Sequence, residues 1–193
     1  MRKLLAALAT TTLFATVPAH AQTWMAYTYG PSDTMTTTKG LKTILDRITA
    51  ETNGEVKFRL RLGGSLPIQS SNITQAVGSG SIQFAEDGFF QGNVKVSNIL
   101  RLPMLLHTPQ DYDLAAKTLE PYIEKEFAQQ GVVVLGRYIY PHQTAYSAKP
   151  LAQLADFNQQ KIRVTSAEQS EIISRFGGIP VSIGTPEVAS ALQ

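Results

Sequence analysis

The chain has no cysteine in 193 residues. That excludes a disulfide scaffold, a thiolate metal site and a thiol nucleophile. Charge of either sign is scarce, at 17% of residues, and there is no net surplus beyond the N-terminus. Seventeen Lys and Arg face fifteen Asp and Glu, and both extra cations are Arg2 and Lys3. A balanced chain argues against nucleic acid as a partner, because a phosphate-binding surface needs a basic excess. Histidine is rare too. Beyond His20 only His107 and His142 occur, 35 residues apart and without metal-ligand spacing. No G-x-S-x-G elbow, Walker loop or G-x-G-x-x-G opening a helix is present, and no cofactor is implied. Gly78-Ser79-Gly80-Ser81 reads as a turn. Long apolar runs are absent after the first 17 residues.

That first run is an address signal. Met1-Arg2-Lys3 is positive, Leu4–Val17 is apolar, and Pro18 precedes Ala19-His20-Ala21. Small residues at −3 and −1 predict cleavage before Gln22. The apolar stretch is too short to span a bilayer core of ~30 Å. Residues 1–21 are therefore expected to be a signal peptide, and the mature chain to be periplasmic and not membrane-spanning.

Helical and strand signals alternate along the rest. Leu41, Ile44, Leu45 and Ile48 form one apolar helix stripe, stopped by Asn53-Gly54. Val56, Phe58, Leu60 and Leu62 alternate with charged residues, the period of a strand. Ile73, Ala76 and Val77 predict a short helix, and Ile82–Ala85 a strand ending at Glu86-Asp87. Asn98–Leu106, broken by Pro103, is expected to be extended. Thr108-Pro109 opens a helix to Gln130, with a kink or break expected near Glu120 because Pro121 lies inside it. Val132–Tyr140, Lys161–Val164 and Ile179–Ile183 read as strands. Thr165 and Glu168 have capping-box spacing for a helix that Gly177-Gly178 ends. Thr185-Pro186-Glu187 starts a final helix just before Gln193. Such a short helix is marginal alone, so the sequence is expected to be truncated. Alternating elements imply an α/β architecture with a largely parallel sheet, whose ligands sit at the strands' carboxyl ends.

Two candidates for chemistry stand out. Arg163 lies in the apolar-flanked strand Lys161–Val164, where its planar fork can grip a carboxylate or where it is simply a surface cation. Glu86 and Asp87 are adjacent, so in a strand they point to opposite faces and share no proton.

The stretch Ala155–Val164 resembles the D-x-K-G-x-K-x-R signature of TRAP-transporter solute-binding proteins of the DctP type. Further stretches agree in order: Thr52-Asn53-Gly54, Gly63–Leu66, Gly80–Glu86, Leu102-Pro103, Gly177–Pro180, Glu187-Val188 and Ala191-Leu192-Gln193. The resemblance covers the whole mature chain. It implies a periplasmic-binding-protein-like two-lobe fold with its C-terminal segments beyond Gln193. The first lobe would span 22–143 and the second would start at 144–193. It implies an extracytoplasmic receptor, not an enzyme, that captures a small organic acid and delivers it to the membrane permease subunits of a TRAP transporter. It implies that Arg163 binds the carboxylate, that Glu86 meets ligand hydroxyl or amine groups, and that Tyr29, Gly30 and Ser32 line the cleft. Gln143 stands where some members carry a second arginine, Gln159 replaces the signature glycine, and Thr185 and Ala189 replace common aromatic residues. Those departures imply a ligand other than the sialic-acid class. Two other readings are a periplasmic sensory or structural domain, and a hydrolase acting through Glu86 or Asp87. A neighbouring histidine kinase gene would mark the first, and turnover of esters or glycosides the second.

Overall fold

A computed structural model describes residues 21–102, 104–140 and 143–193. The expected leader, apart from Ala21, lies outside the described residues, as do Pro103 and His142. Among the described residues no helix is long and apolar enough to cross a membrane.

Strand β1 runs over Gln22–Thr28 and helix α1 over Thr36–Glu51. Strand β2 covers Val56–Arg61, helix α2 Ile73–Gly78 and strand β3 Phe84–Glu86. All three strands are parallel, in the order β2-β1-β3. Tyr27 pairs with Arg61, and Thr28 with Glu86. Helices pack on both faces, so both side-chain sets of β1 are apolar. Ala26 faces Leu41 and Leu45 of α1, with Phe58, Leu60 and Phe84 beside it. Tyr27 and Tyr29 face Ile73 and Ile82 on the other side. Each fully buried side chain of this size contributes about 1.5–3 kcal/mol. The stripe on α1 is narrower than its periodicity suggests, since Ile44 is exposed while Leu41 and Leu45 are buried.

Helix α3 spans Pro109–Ala128, capped by Thr108 and Asp111. It runs through Pro121 without a break, which removes one of the two outcomes expected there. The second sheet has two parallel strands, β4 (Lys161–Val164) and β5 (Ile179–Ser182), linked by α4 (Ala167–Arg175). The chain closes with a 3-10 turn at Thr185–Glu187 and the single-turn α5 (Val188–Ala191).

Three local expectations change. Lys95–Arg101 is a 3-10 helix and not an extended segment. Its Ser97 side chain donates to Val94 O at 2.6 Å, a local bond that competes with a ladder. Val132–Tyr140 has strand composition but joins no sheet among the described residues, and Val133 and Leu135 are 79% and 73% exposed. The cap of α4 is Ser166, whose Oγ accepts from Gln169 N; the Gln169 side chain accepts in turn from Thr165 N. The motif therefore sits one residue later than Thr165 and Glu168 suggest.

Candidate functional site

The site forms where the carboxyl ends of β1, β3 and β4 meet. Thr28 ends β1 opposite Glu86 at the end of β3. The Thr28 hydroxyl donates to Glu86 Oε2 and accepts from Gly30 N at 3.0 Å. Gly30 O accepts from Gly63 N at 2.9 Å, which ties the β1 and β2 loops together. A side chain at Gly63 would collide with Tyr29 O. Pro186 lies against Gly63 and Gly64, so the turn after β5 touches the same loops.

Glu86 is only 7% exposed. Tyr138 donates its hydroxyl to Glu86 Oε1 at 2.7 Å. A phenol has one proton, so the Tyr138 oxygen is left to accept from Tyr29, 3.0 Å away. Tyr140 then donates to Tyr29. The result is a relay of three phenols ending on one buried carboxylate. Burial pushes the Tyr29 and Tyr138 hydroxyls well above the usual phenol range, with the bond to Glu86 adding to the rise at Tyr138. Both phenols therefore stay protonated and keep their donors. Asp87 turns away, as strand geometry predicts: it accepts from Thr74 Oγ1 at 2.6 Å and Phe89 N at 2.8 Å. Burial raises its carboxyl above the usual range, and those two donors offset part of the rise.

Arg163 approaches from the second sheet. Its Nε donates to Ile183 O at 2.9 Å, and its guanidinium carbon stands 6.0 Å from the centroid of the Phe89 ring. Phe89 in turn packs edge-on against Tyr29 at 5.4 Å. Among the described residues no carboxylate lies within ion-pair distance of Arg163; the three ion pairs are Arg47–Glu51, Arg137–Glu120 and Arg175–Glu171. Partial burial lowers its pKa, yet an arginine starts high enough to remain charged at neutral pH. With Nε committed to Ile183, the Nη1/Nη2 edge is the fork left for an anion. Arg163 lines a small cleft of about 160 Å³ with Lys161, Val181, Ile183, Val188 and Leu192.

The fold thus joins Arg163, Tyr29 and Glu86 through Phe89 and Tyr138, with Gly30 alongside. Ser32 is not in that network. Its hydroxyl accepts from Thr34 N at 3.1 Å, which shapes its own loop. Gln143 is exposed and accepts from Gln169 Nε2 at 3.3 Å. Sequence reasoning missed Phe89, Tyr138 and Tyr140. The two-residue spacing of Tyr138 and Tyr140 puts both phenols on one face of an extended segment, which was the available signal. Among the described residues no cluster of His, Asp and Glu could hold a metal ion.

The family model of DctP, the bacterial extracellular solute-binding proteins of family 7, matches residues 26–193. The chain belongs to that family. Among curated proteins none matches. Solved structures share the fold. A Bordetella pertussis extracytoplasmic solute receptor binding pyroglutamic acid is 24% identical with a TM-score of 0.81, covering 89% of this chain and 57% of its own. A marine metagenome TRAP solute-binding protein from an unidentified microbe, in complex with pyroglutamate, gives 21% and 0.82, covering 89% and 57%. A Sulfitobacter TRAP periplasmic solute-binding protein with bound β-D-galacturonate gives 21% and 0.79, covering 89% and 58%. The family 7 chain described here therefore spans a little under three-fifths of the length of these relatives. Its mixed α/β architecture with parallel sheets is theirs, incomplete by that measure.

Proposed function

We propose that this protein is an extracytoplasmic receptor that captures a small organic acid anion and hands it to the permease subunits of a TRAP-type transporter. One observation carries the reading: Arg163 stands at the end of a parallel strand, stacked on Phe89, without a carboxylate partner among the described residues. Such a group is ready for an anion, and exclusion of water by a closing second lobe strengthens the pair. Tyr29, edge-on to Phe89, links this group to Tyr138 and Glu86, an arrangement suited to ligand hydroxyl or N–H groups. Family membership and the acids bound by the pyroglutamate and galacturonate relatives support this assignment. The lobes divide at about residue 143. Periplasmic export follows from the leader, and β1 begins at Gln22, the first residue after the expected cleavage point.

The test is calorimetric titration of the full-length gene product with pyroglutamate, hexuronates and related acids. Wild type binds at least one, and Arg163→Ala weakens it by about 10- to 100-fold. An unchanged affinity in the variant would remove Arg163 from the ligand.

A further inference from the structure

The turn after β3 presents the Phe89 ring to Arg163, with the guanidinium carbon 6.0 Å from the ring centroid. Its first residue, Asp87, turns inward instead. One carboxyl oxygen, Oδ1, accepts from Phe89 N at 2.8 Å, a local bond that closes the turn. The other, Oδ2, accepts at 2.6 Å from the hydroxyl of Thr74, a buried residue of α2. The middle of the turn is fixed as well. A side chain at Gly88 would collide with the Tyr29 ring, and Gly88 O accepts from the buried Gln91 side chain at 3.3 Å. On the far side of Phe89, the next ring, Phe90, packs against Phe127 of α3 with centroids 5.4 Å apart.

Asp87 thus ties the backbone of Phe89 to a buried helix through one carboxyl group. A phenylalanine has no polar side-chain atom to fix it, so the place of this ring depends on the backbone that carries it. Arg163 Nε is tied to Ile183 O at 2.9 Å, and the face of Phe89 supplies a second restraint on the guanidinium plane. We propose that Asp87 is a positioning residue of the binding site: by holding Phe89 N and Thr74 together, it keeps the Phe89 ring against Arg163 and sets the plane of the anion-binding fork. This rests on the receptor reading above. A fork held in place beforehand loses less freedom when it binds.

Two measurements on the full-length protein test it. The first needs no ligand. The Arg163 Nε–H is hydrogen-bonded to Ile183 O, so it should give a resolved signal in a proton–nitrogen correlation spectrum, displaced by the Phe89 ring current and identified by its loss in Arg163→Lys. Phe89→Leu should abolish the displacement and Asp87→Ala should reduce it. Asp87→Asn should retain it, because an amide keeps an oxygen for Phe89 N and can donate to the Thr74 hydroxyl. The second is calorimetric titration with pyroglutamate. Phe89→Leu and Asp87→Ala should each weaken binding by about 5- to 10-fold, and Asp87→Asn by less than about threefold. The double variant Asp87→Ala/Phe89→Leu should bind within about twofold of Phe89→Leu alone, since Asp87 acts through that ring. Losses that multiply in the double variant, or an Asp87→Ala protein with signal and affinity unchanged, overturn the role of Asp87. Thr74→Val removes the α2 anchor and leaves the turn bond, and it decides the matter by the same criteria if Asp87→Ala fails to fold. A wild type that binds no organic acid defeats the receptor reading, whereas the ligand-free signal reports on Asp87 alone, so the two failures remain distinct.

Discussion

The Tyr138 hydroxyl donates to Glu86 Oε1 at 2.7 Å, joining residues 52 apart in sequence. Glu86 ends a strand of the first sheet, whereas Tyr138 lies in an extended segment that joins no sheet among the described residues. That hydrogen bond tethers the segment to the site. Tyr138→Phe should cost about 1–3 kcal/mol of unfolding free energy, because a buried carboxylate loses a donor. Urea denaturation of the mature protein measures it. A change below about 0.5 kcal/mol would mean that solvent replaces the phenol at no cost.

Arg163→Lys tests the shape of the cation and not its charge. Lysine has no planar face for Phe89 and no second parallel donor. Ligand affinity should fall by about tenfold or more while the net charge stays fixed. Equal affinities by calorimetry would show that a point charge suffices.

Asp87 gives a pH dependence of defined sign. Burial raises its carboxyl in the folded state. Its contribution is fully present below the unfolded value near ~3.9 and is lost as pH rises through the folded value. Wild type should therefore lose stability relative to Asp87→Asn on going from acid to neutral pH. Urea midpoints measured across that range decide it, and a constant difference would contradict the assignment.

Asp111 has the opposite sign. Bonds from Thr108 hold its carboxyl below the usual range, so its contribution is present above the unfolded value and lost as pH falls through the folded one. Removing the cap partner, Thr108→Ala, should cost about 1 kcal/mol at neutral pH. Helicity and unfolding midpoints at neutral and acid pH check this, with a smaller loss expected in acid.

Two glycines should respond in opposite directions. Gly40 lies within α1 with open space around its Cα, so Gly40→Ala should stabilise by about 0.5–1 kcal/mol. Gly63 is pressed against Tyr29 O beside the site, so Gly63→Ala should destabilise and also weaken ligand binding. Thermal melts and titrations of the two variants read both effects.

Local signals set the elements that depend only on near neighbours. Asn53 and Gly54 take positive φ where the helix stripe ends. Thr108, Pro109 and Asp111 build the start of α3 where cap chemistry placed it. The alternation in Val56–Arg61 became a strand because its apolar face meets Leu41 and Leu45. Arg163 was legible as a strand cation, either a carboxylate grip or a surface charge, and Glu86 as a strand-end acid. Their grouping was not, since Phe89 and Tyr138 connect them through contacts that no sequence spacing encodes. Val132–Tyr140 shows the limit from the other side. Its β-branched and aromatic residues favour a strand, but a ladder requires a partner edge, which is a property of the assembled chain. The sequence by itself determined the alternating α/β plan and the chemistry on offer, because periodicity and caps act over a few residues. Only the tertiary structure decided that Arg163 faces Phe89 and that Tyr138 reaches Glu86 with Tyr29 and Tyr140 behind it, because those contacts join strand ends to segments distant in sequence.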